Sequence, residues 1–181
     1  MGKDFTESYW YCVKLYTLKT YEVRDYFAHA GLQAFIPEQK VMEEDSNGKR
    51  HQILKPVVSN LVFVRVGEDN ELIAKLMTTD KYKMSLVKPY PSAKCPAIIN
   101  DKEMNEFQMM CNPDIEMKEY ISEEEAKLKT GDEVTVTHGP LSGLSGRLVR
   151  KSHKYYLLKE VPGMGVMLKV SRWCCKKKCK K

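Results

Sequence analysis

The sequence lacks the long apolar runs that mark membrane and secreted proteins. No segment approaches the ~20 consecutive apolar residues that a membrane-spanning helix needs, and Met1 to Ser8 are polar without the apolar core of a secretory signal. Hydrophobic residues make up 43% and charged residues 30% of the 181-residue chain, as in ordinary globular proteins. We therefore expect a monomeric cytoplasmic protein.

The sequence also lacks the paired cysteines of a zinc site. No two of its cysteines form a CxxC pair, and Cys175 and Cys179 are separated by lysines with no histidine nearby. In a reducing cytosol we expect free thiols and no bound metal. The six cysteines are Cys12, Cys95, Cys111, Cys174, Cys175 and Cys179.

Signatures of catalysis are missing as well. The four histidines, His29, His51, His138 and His153, are scattered and belong to no Cys/His or Ser/His pattern. No phosphate-binding loop of the form GxxxxGK[ST] is present. We expect neither enzymatic activity nor a cofactor.

Charge is distributed unevenly along the chain. Residues 1–126 hold 16 Lys and Arg against 21 Asp and Glu, a net charge of −5, whereas residues 127–181 hold 14 against 3, a net charge of +11. The split predicts two modules with different partners. A basic module favours polyanions such as RNA, although a basic tail that only aids solubility would give the same count.

The first module alternates strand and helix patterns, which predicts a mixed α/β domain. Tyr9–Tyr16 and the apolar run Leu61–Val66 predict strands, the second of them central, with Leu61 and Phe63 on one face. Further predicted features are a helix at 21–30 ending at Gly31, a strand at 34–41 interrupted by Pro37, a hairpin around Asn47-Gly48, a helix at 70–77 and a helix capped by Asn100.

Residues 112–126 show no clean periodicity, and we interpret them as a linker. Beyond them the pattern becomes all-β, with Val134 and Val136 alternating with polar residues, which predicts a small barrel without helices. The segment Gly131–Gly146 (GDEVTVTHGPLSGLSG) combines those valines with a tight turn at Gly139-Pro140 and with Gly143 and Gly146, whose lack of a side chain permits positive φ.

This glycine-rich segment resembles the KOW motif of ribosomal proteins and transcription elongation factors, with motif positions Val134, Val136, Gly139, Pro140, Gly143 and Gly146. Upstream, Trp10-Tyr11, Phe35-Ile36-Pro37, Asn60-Leu61-Val62-Phe63-Val64 and Ile99-Asn100-Asp101-Lys102-Glu103 occur in the order of a NusG N-terminal domain. The resemblance narrows to the specialised UpxY-like antiterminators of surface-polysaccharide operons on Pro56-x-x-x-Asn60-Leu61-x-Phe63-Val64 followed by Asp101-x-Glu103-Met104-x-x-Phe107.

The resemblance implies an α+β fold, a NusG N-terminal mixed α/β sandwich domain followed by a small all-β KOW (SH3-like) barrel. The implied bounds are residues 1–111 for the polymerase-binding domain, 112–126 for the linker, 127–173 for the KOW domain and 174–181 for a basic tail. The implied function is binding to RNA polymerase to suppress pausing or termination. A housekeeping NusG factor and a ribosome-associated KOW protein that binds RNA remain the alternatives.

The resemblance also implies sites. Contact with the polymerase clamp helices would fall on Val58, Leu61, Phe63, Met104 and Phe107, which could equally be ordinary core. Contact with the non-template DNA strand would fall on Lys14, Lys19, Arg24, Lys81 and Lys83, with Tyr16 and Tyr21 available to stack on bases. The KOW domain would recruit Rho or a ribosomal protein, and the tail Lys176–Lys181 could contact nascent RNA.

Overall fold

A computed structural model describes residues 8–67 and 70–178. The chain divides into two compact units, Met1–Met104 and Asn105–Lys181. The division falls inside helix α3, which spans Asp101–Met110. Within the described ranges, no helix is long and apolar enough to cross a membrane.

The first unit is a mixed α/β unit built on one antiparallel sheet. Its strands run in the order β2-β5-β1-β6, and β7 also pairs with β1. In chain order its elements are β1 (Tyr9–Leu15), α1 (Thr20–His29), β2 (Ala34–Phe35), β3 (Glu38–Glu44), β4 (Arg50–Pro56), β5 (Leu61–Val66), α2 (Asn70–Met77), β6 (Met84–Leu86), β7 (Ile98–Asn100) and the start of α3.

Strand β5 lies between two neighbours, which confirms the central strand predicted from its apolar run. Val62, Val64 and Val66 belong to one hydrophobic cluster with Val23 and Phe27 of α1. Because side chains alternate along a strand, Leu61 and Phe63 lie on the opposite face. The two-face prediction for this strand is therefore confirmed.

Strands β3 and β4 form a hairpin of their own. Pro37 separates β2 from β3, as expected of a residue that cannot donate to a ladder. At the tip, Gly48 has φ of +75°, and the Asp45 carboxylate accepts the amides of Asn47 and Lys49, each at 2.9 Å. The predicted turn at Asn47-Gly48 is thus confirmed.

The second unit contains one six-stranded antiparallel sheet in the order β13-β9-β10-β11-β12-β8. Its elements after α3 are β8 (Lys118–Ser122), α4 (Glu123–Leu128), β9 (Asp132–Val136), β10 (Ser145–Lys151), β11 (Lys154–Val161), β12 (Met164–Val170), a short 3-10 helix (Arg172–Cys174) and β13 (Cys175–Lys177).

Regular structure occupies residues 118–126 of the segment interpreted as a linker, residues 112–126. Strand β8 pairs with β12, and α4 follows it directly, so the second unit also contains a helix that the all-β interpretation omitted. The Ser122 hydroxyl caps α4 by accepting the amide of Glu125 at 3.2 Å. The acidic run Glu123–Glu125 is therefore the first turn of a helix, where carboxylates are favourable. A short strand or helix that is only half-buried shows little hydrophobic periodicity in its sequence, because its stability comes from the elements that it packs against.

The second sheet does not close into a barrel among the described strands. Its edge strands, β13 and β8, each pair on one side only. One face of the sheet packs on α4, where Ala126 joins Val149, Leu158 and Met167 in a buried cluster. The part of the chain with described structure therefore shows an open six-stranded sheet where a closed barrel was expected.

The glycine-rich segment contains two different uses of glycine. Gly139 and Gly143 have φ of +84° and +92°, which confirms the positive φ expected at Gly143. Gly146 does not, because it lies within β10, where an added Cβ would come within 2.5 Å of the Leu158 carbonyl oxygen. The expectation of positive φ at Gly146 was wrong, and this glycine permits a close approach of two strands instead.

Candidate functional site

The residues predicted to contact polymerase are mostly buried. Leu61 is 5% exposed, and Phe63, Met104 and Phe107 are each 0% exposed. Val58, in the loop between β4 and β5, is half-buried. Of these five residues, Val58 alone therefore presents side-chain surface that a partner could reach without a rearrangement.

Two exposed apolar side chains lie in a loop close to the one that carries Val58. The loop between β1 and α1 is tied to the Val58 loop by the Leu15 amide, which donates to the Asn60 carbonyl at 2.8 Å. This loop carries Leu18, which is 82% exposed, and Tyr16, which is 57% exposed. We call Tyr16, Leu18 and Val58 the loop surface.

Two of the predicted nucleic-acid-binding lysines lie close to Tyr16. The Lys83 ammonium is 5.8 Å from the centre of the Tyr16 ring, and the Tyr16 hydroxyl is 3.1 Å from the Ser85 hydroxyl. Lys14 pairs with Ser85 across β1 and β6, so both side chains emerge on the same face. Lys14, Lys83 and the exposed ring thus share one small surface.

The other predicted members of that set have partners within the first unit. Lys19 forms an ion pair with Glu22 at 3.3 Å, and Arg24 forms one with Asp25 at 2.7 Å. The Lys81 ammonium lies 5.0 Å from the centre of the Tyr82 ring. The structure therefore does not gather all five cations into one patch.

Tyr21 does not have the free ring that stacking on a base requires. Its hydroxyl donates to Glu38 Oε1 at 2.7 Å, and the Arg24 guanidinium lies over its ring at 5.1 Å. Burial and the bond to Glu38 raise the pKa of Tyr21 to about 12. Tyr21 thus joins α1 to the β3–β4 hairpin.

Asp101, the first residue of α3, ties this helix to β1 and β5. Its carboxylate accepts the Trp10 indole N–H at 2.8 Å and the Arg65 guanidinium at 2.7 Å, and it also accepts the Ser8 hydroxyl. The bond from Arg65 is the main reason that the pKa of Asp101 is lowered to about 2. Asn100 caps the same helix by accepting the Glu103 amide at 2.8 Å, as its sequence predicted.

Residues 8–108 match the model of the family described as "Transcription termination factor nusG". The match covers more than half of the chain. This chain belongs to the NusG family. No curated protein matches the chain. The family match spans residues 8–104 of the first unit and continues into α3, and it ends before the segment 127–173 that resembles a KOW domain.

In this NusG-family protein the KOW-like segment forms a compact turn between β9 and β10. The amide of Gly143 donates to the Val136 carbonyl and the amide of Val136 donates to the Leu144 carbonyl, each at 2.8 Å. Val134 and Val136 are buried, as predicted. Pro140 lies at the tip of the turn and is exposed, so this turn presents an edge to solvent.

A buried polar cluster lies elsewhere in the second unit of this NusG-family protein. Glu106, in the later part of α3, accepts the Ser145 hydroxyl with both carboxylate oxygens at 2.9 Å. It also forms an ion pair with Lys159, and the two side chains are only 10% and 13% exposed. These bonds fix the end of α3 against β10 and β11.

A basic groove of about 660 Å³ lies at one end of strands β10, β11 and β12, beside the turn that joins β10 to β11. Its lining includes His153, Lys154, Tyr155, Lys169, Arg172 and Trp173. No motif in the sequence joins these side chains, because they come from two separate segments, 153–155 and 169–173. The available signals were the net charge of +11 in residues 127–181 and the tryptophan that follows Arg172.

Proposed function

We propose that this NusG-family protein is a transcription elongation factor that binds RNA polymerase and suppresses pausing or termination. The family match over residues 8–108 is the observation that carries the proposal. We further propose, from its resemblance to UpxY-like proteins, that it acts in the cytoplasm on specific long operons of the surface-polysaccharide type. The action is mechanical and includes no chemical step.

The first unit would act by holding the polymerase clamp closed. A factor that binds the closed state more tightly than the open, paused state shifts the population towards the closed state. A difference of about 3 kcal/mol in binding free energy changes the ratio of the two states by more than a hundredfold. Binding alone can therefore lengthen transcripts.

The loop surface is the contact that we propose for the clamp helices. Tyr16, Leu18 and Val58 combine exposed apolar surface on adjacent loops, and a helix docks best on a few apolar anchors held by rigid elements. Leu61, Phe63 and Met104, which are buried and belong to the same unit, would support the contact from the core. Lys14 and Lys83, beside Tyr16, are the cations that we propose for the non-template DNA strand.

The second unit would recruit a further partner through the turn around Gly139 to Gly143. Rho and a ribosomal protein are the two partners that the KOW resemblance suggests. Pro140 and its neighbours in this turn are exposed, which supports the choice of this edge. Binding of purified Rho or of the ribosomal protein to wild type and to Pro140→Asp would show which partner uses it.

Co-purification with core RNA polymerase tests the first proposal. We expect wild type to retain polymerase and the double variant Leu18→Asp/Val58→Asp to lose at least about tenfold in affinity, because two charges would face an apolar contact. Leu128→Asp is the matched control, since Leu128 is also 82% exposed but lies in the second unit. Equal binding by all three proteins would contradict the proposed contact.

The transcripts of the target operon test the proposed activity. A strain that lacks the protein should lose distal transcripts more than proximal ones, because terminators and pauses accumulate with distance. An equal fall of both would rule out a processivity factor. Effects on most operons would favour the housekeeping alternative, and co-purification of ribosomes without polymerase would favour the ribosome-associated alternative.

A further inference from the structure

The basic groove combines the exposed ring of Trp173 and the half-buried ring of Tyr155 with several cations. The Trp173 side chain is 76% exposed, and its ring centre is 6.0 Å from that of His138. The Arg150 and Arg172 guanidinium groups lie 5.8 and 5.7 Å from the centre of the Tyr155 ring. Trp173 thus presents a free aromatic face, while Tyr155 holds two arginines in place.

Sheet register explains why these residues meet. Arg150 of β10 pairs with Tyr155 of β11, and Tyr155 pairs with Val170 of β12. Directly paired residues lie on the same face of a sheet, so the three side chains form a row across three strands. Arg172 follows two residues after Val170, and its guanidinium returns over the Tyr155 ring.

Unlike most other cations of the second unit, the groove cations Lys154, Lys169 and Arg172 lack acidic partners, and so does Arg150, which lies beside the groove at the Tyr155 ring. Lys151 forms an ion pair with Glu119, Arg147 with Glu160, and Lys177 with Asp132. Within the described residues, no ion pair joins a carboxylate to Arg150, Lys154, Lys169 or Arg172. Their charge is available to an external anion.

We propose that the basic groove binds single-stranded nucleic acid. Phosphates would contact Arg150, Lys154, Lys169 and Arg172, while a base stacks on the exposed indole of Trp173. A cationic groove that follows the backbone, with an aromatic face for the bases, is the arrangement that binds single strands without sequence preference. An acidic peptide would match the charge but would leave the indole face without a flat partner.

This site is independent of the proposed contact with polymerase, because it lies in the second unit and needs only nucleic acid. Two sources share the required chemistry, the nascent RNA and a displaced DNA strand. Either would offer phosphates and unstacked bases. Only RNA carries the 2′-hydroxyl that would allow the groove to distinguish the two.

Fluorescence anisotropy of the full chain with labelled rU15 and dT15 tests the proposal. We expect binding by wild type and a loss of roughly 5-fold or more for Trp173→Ala, the effect of removing one stacked base. Arg150→Gln/Arg172→Gln should reduce the slope of log Kd against log salt by about 1.4, since each phosphate contact on a single strand adds about 0.7. Tighter binding of rU15 than of dT15 would identify RNA as the ligand.

Lys127→Gln/Lys177→Gln is the matched control, because it removes the same charge from the second unit outside the groove. Circular dichroism would establish that every variant folds, which we expect since the altered side chains are exposed or lie at the surface. No binding by wild type at about 0.1 M salt would overturn the proposal. So would equal losses in the control and groove variants, or binding of a polyglutamate of the same length as tight as that of rU15.

Discussion

The carboxylate of Asp101 accepts two hydrogen bonds from the guanidinium of Arg65, at 2.7 and 3.1 Å. The two residues are far apart in sequence, and their pairing joins the first turn of α3 to β5. The indole N–H of Trp10 completes the link through β1. This cluster fixes where α3 begins relative to the sheet of the first unit.

Asp101→Asn should lower the free energy of unfolding at pH 7 by about 1 kcal/mol, because bonds to a charged group are stronger than neutral ones and this site is partly exposed. The pKa of Asp101 is lowered to about 2 in the folded protein, from an ordinary value of 3.8. Its contribution is therefore fully present above pH ~4 and is lost as the pH falls towards 2.

Urea unfolding at pH 7, 4 and 2.5 would measure this dependence. The difference in free energy of unfolding between wild type and Asp101→Asn should become smaller between pH 4 and pH 2.5. Asp25→Asn is the control, because Asp25 belongs to an ion pair exposed at the surface. A gap that stays constant down to pH 2.5 would show that the charge of Asp101 is not the cause.

Phe63→Ala should destabilise the first unit by about 3–5 kcal/mol, the cost of removing a fully buried phenylalanine. The Phe63 ring packs beside that of Phe35, with 6.3 Å between ring centres. Urea unfolding would measure the loss, with Leu18→Ala as an exposed control that we expect to stay within about 0.5 kcal/mol. A loss under 1 kcal/mol for Phe63→Ala would argue that Phe63 lies at the surface.

That burial decides how polymerase binding can be tested. A charge at position 63 would unfold the unit, so loss of binding by such a variant would carry no information about a contact. Substitutions on the loop surface avoid the difficulty because their side chains already meet solvent.

Lys159→Met should destabilise the second unit by about 3 kcal/mol, because it leaves the Glu106 carboxylate buried without its cation. Glu106→Gln/Lys159→Met should recover most of that loss, since the amide oxygen still accepts the Ser145 hydroxyl and no charge remains. Urea unfolding of both single variants and the double variant gives the coupling between the two residues. Additive losses in the double variant would show that the two side chains do not interact.

Local elements of this NusG-family protein could be predicted from its sequence because neighbouring residues determine them. The apolar run of β5, the helix at 70–77 and the Asn100 cap each depend on residues within one turn or one strand. The same holds for the turn at Asn47-Gly48, where Gly48 supplies the positive φ. Each of these predictions agrees with the structure to within a residue or two.

Sequence resemblance also supplied the family, which the match over residues 8–108 then established. It could not decide which family positions remain accessible. The sequence pattern allows Phe63 to be either core or contact surface, and only its complete burial in the folded chain identifies it as core.

Tertiary structure alone decided the features that join distant segments. Arg65 of β5 binds Asp101 at the start of α3. Strand β8 forms by pairing with β12. Position 146 requires glycine because the carbonyl oxygen of Leu158 lies close to it on the neighbouring strand. Strand register likewise brings Arg150 and Tyr155 into the row that Arg172 completes. Strands that are far apart in sequence pair with each other, so no local sequence pattern predicts the pairing. Helix caps and tight turns, in contrast, are determined by adjacent residues.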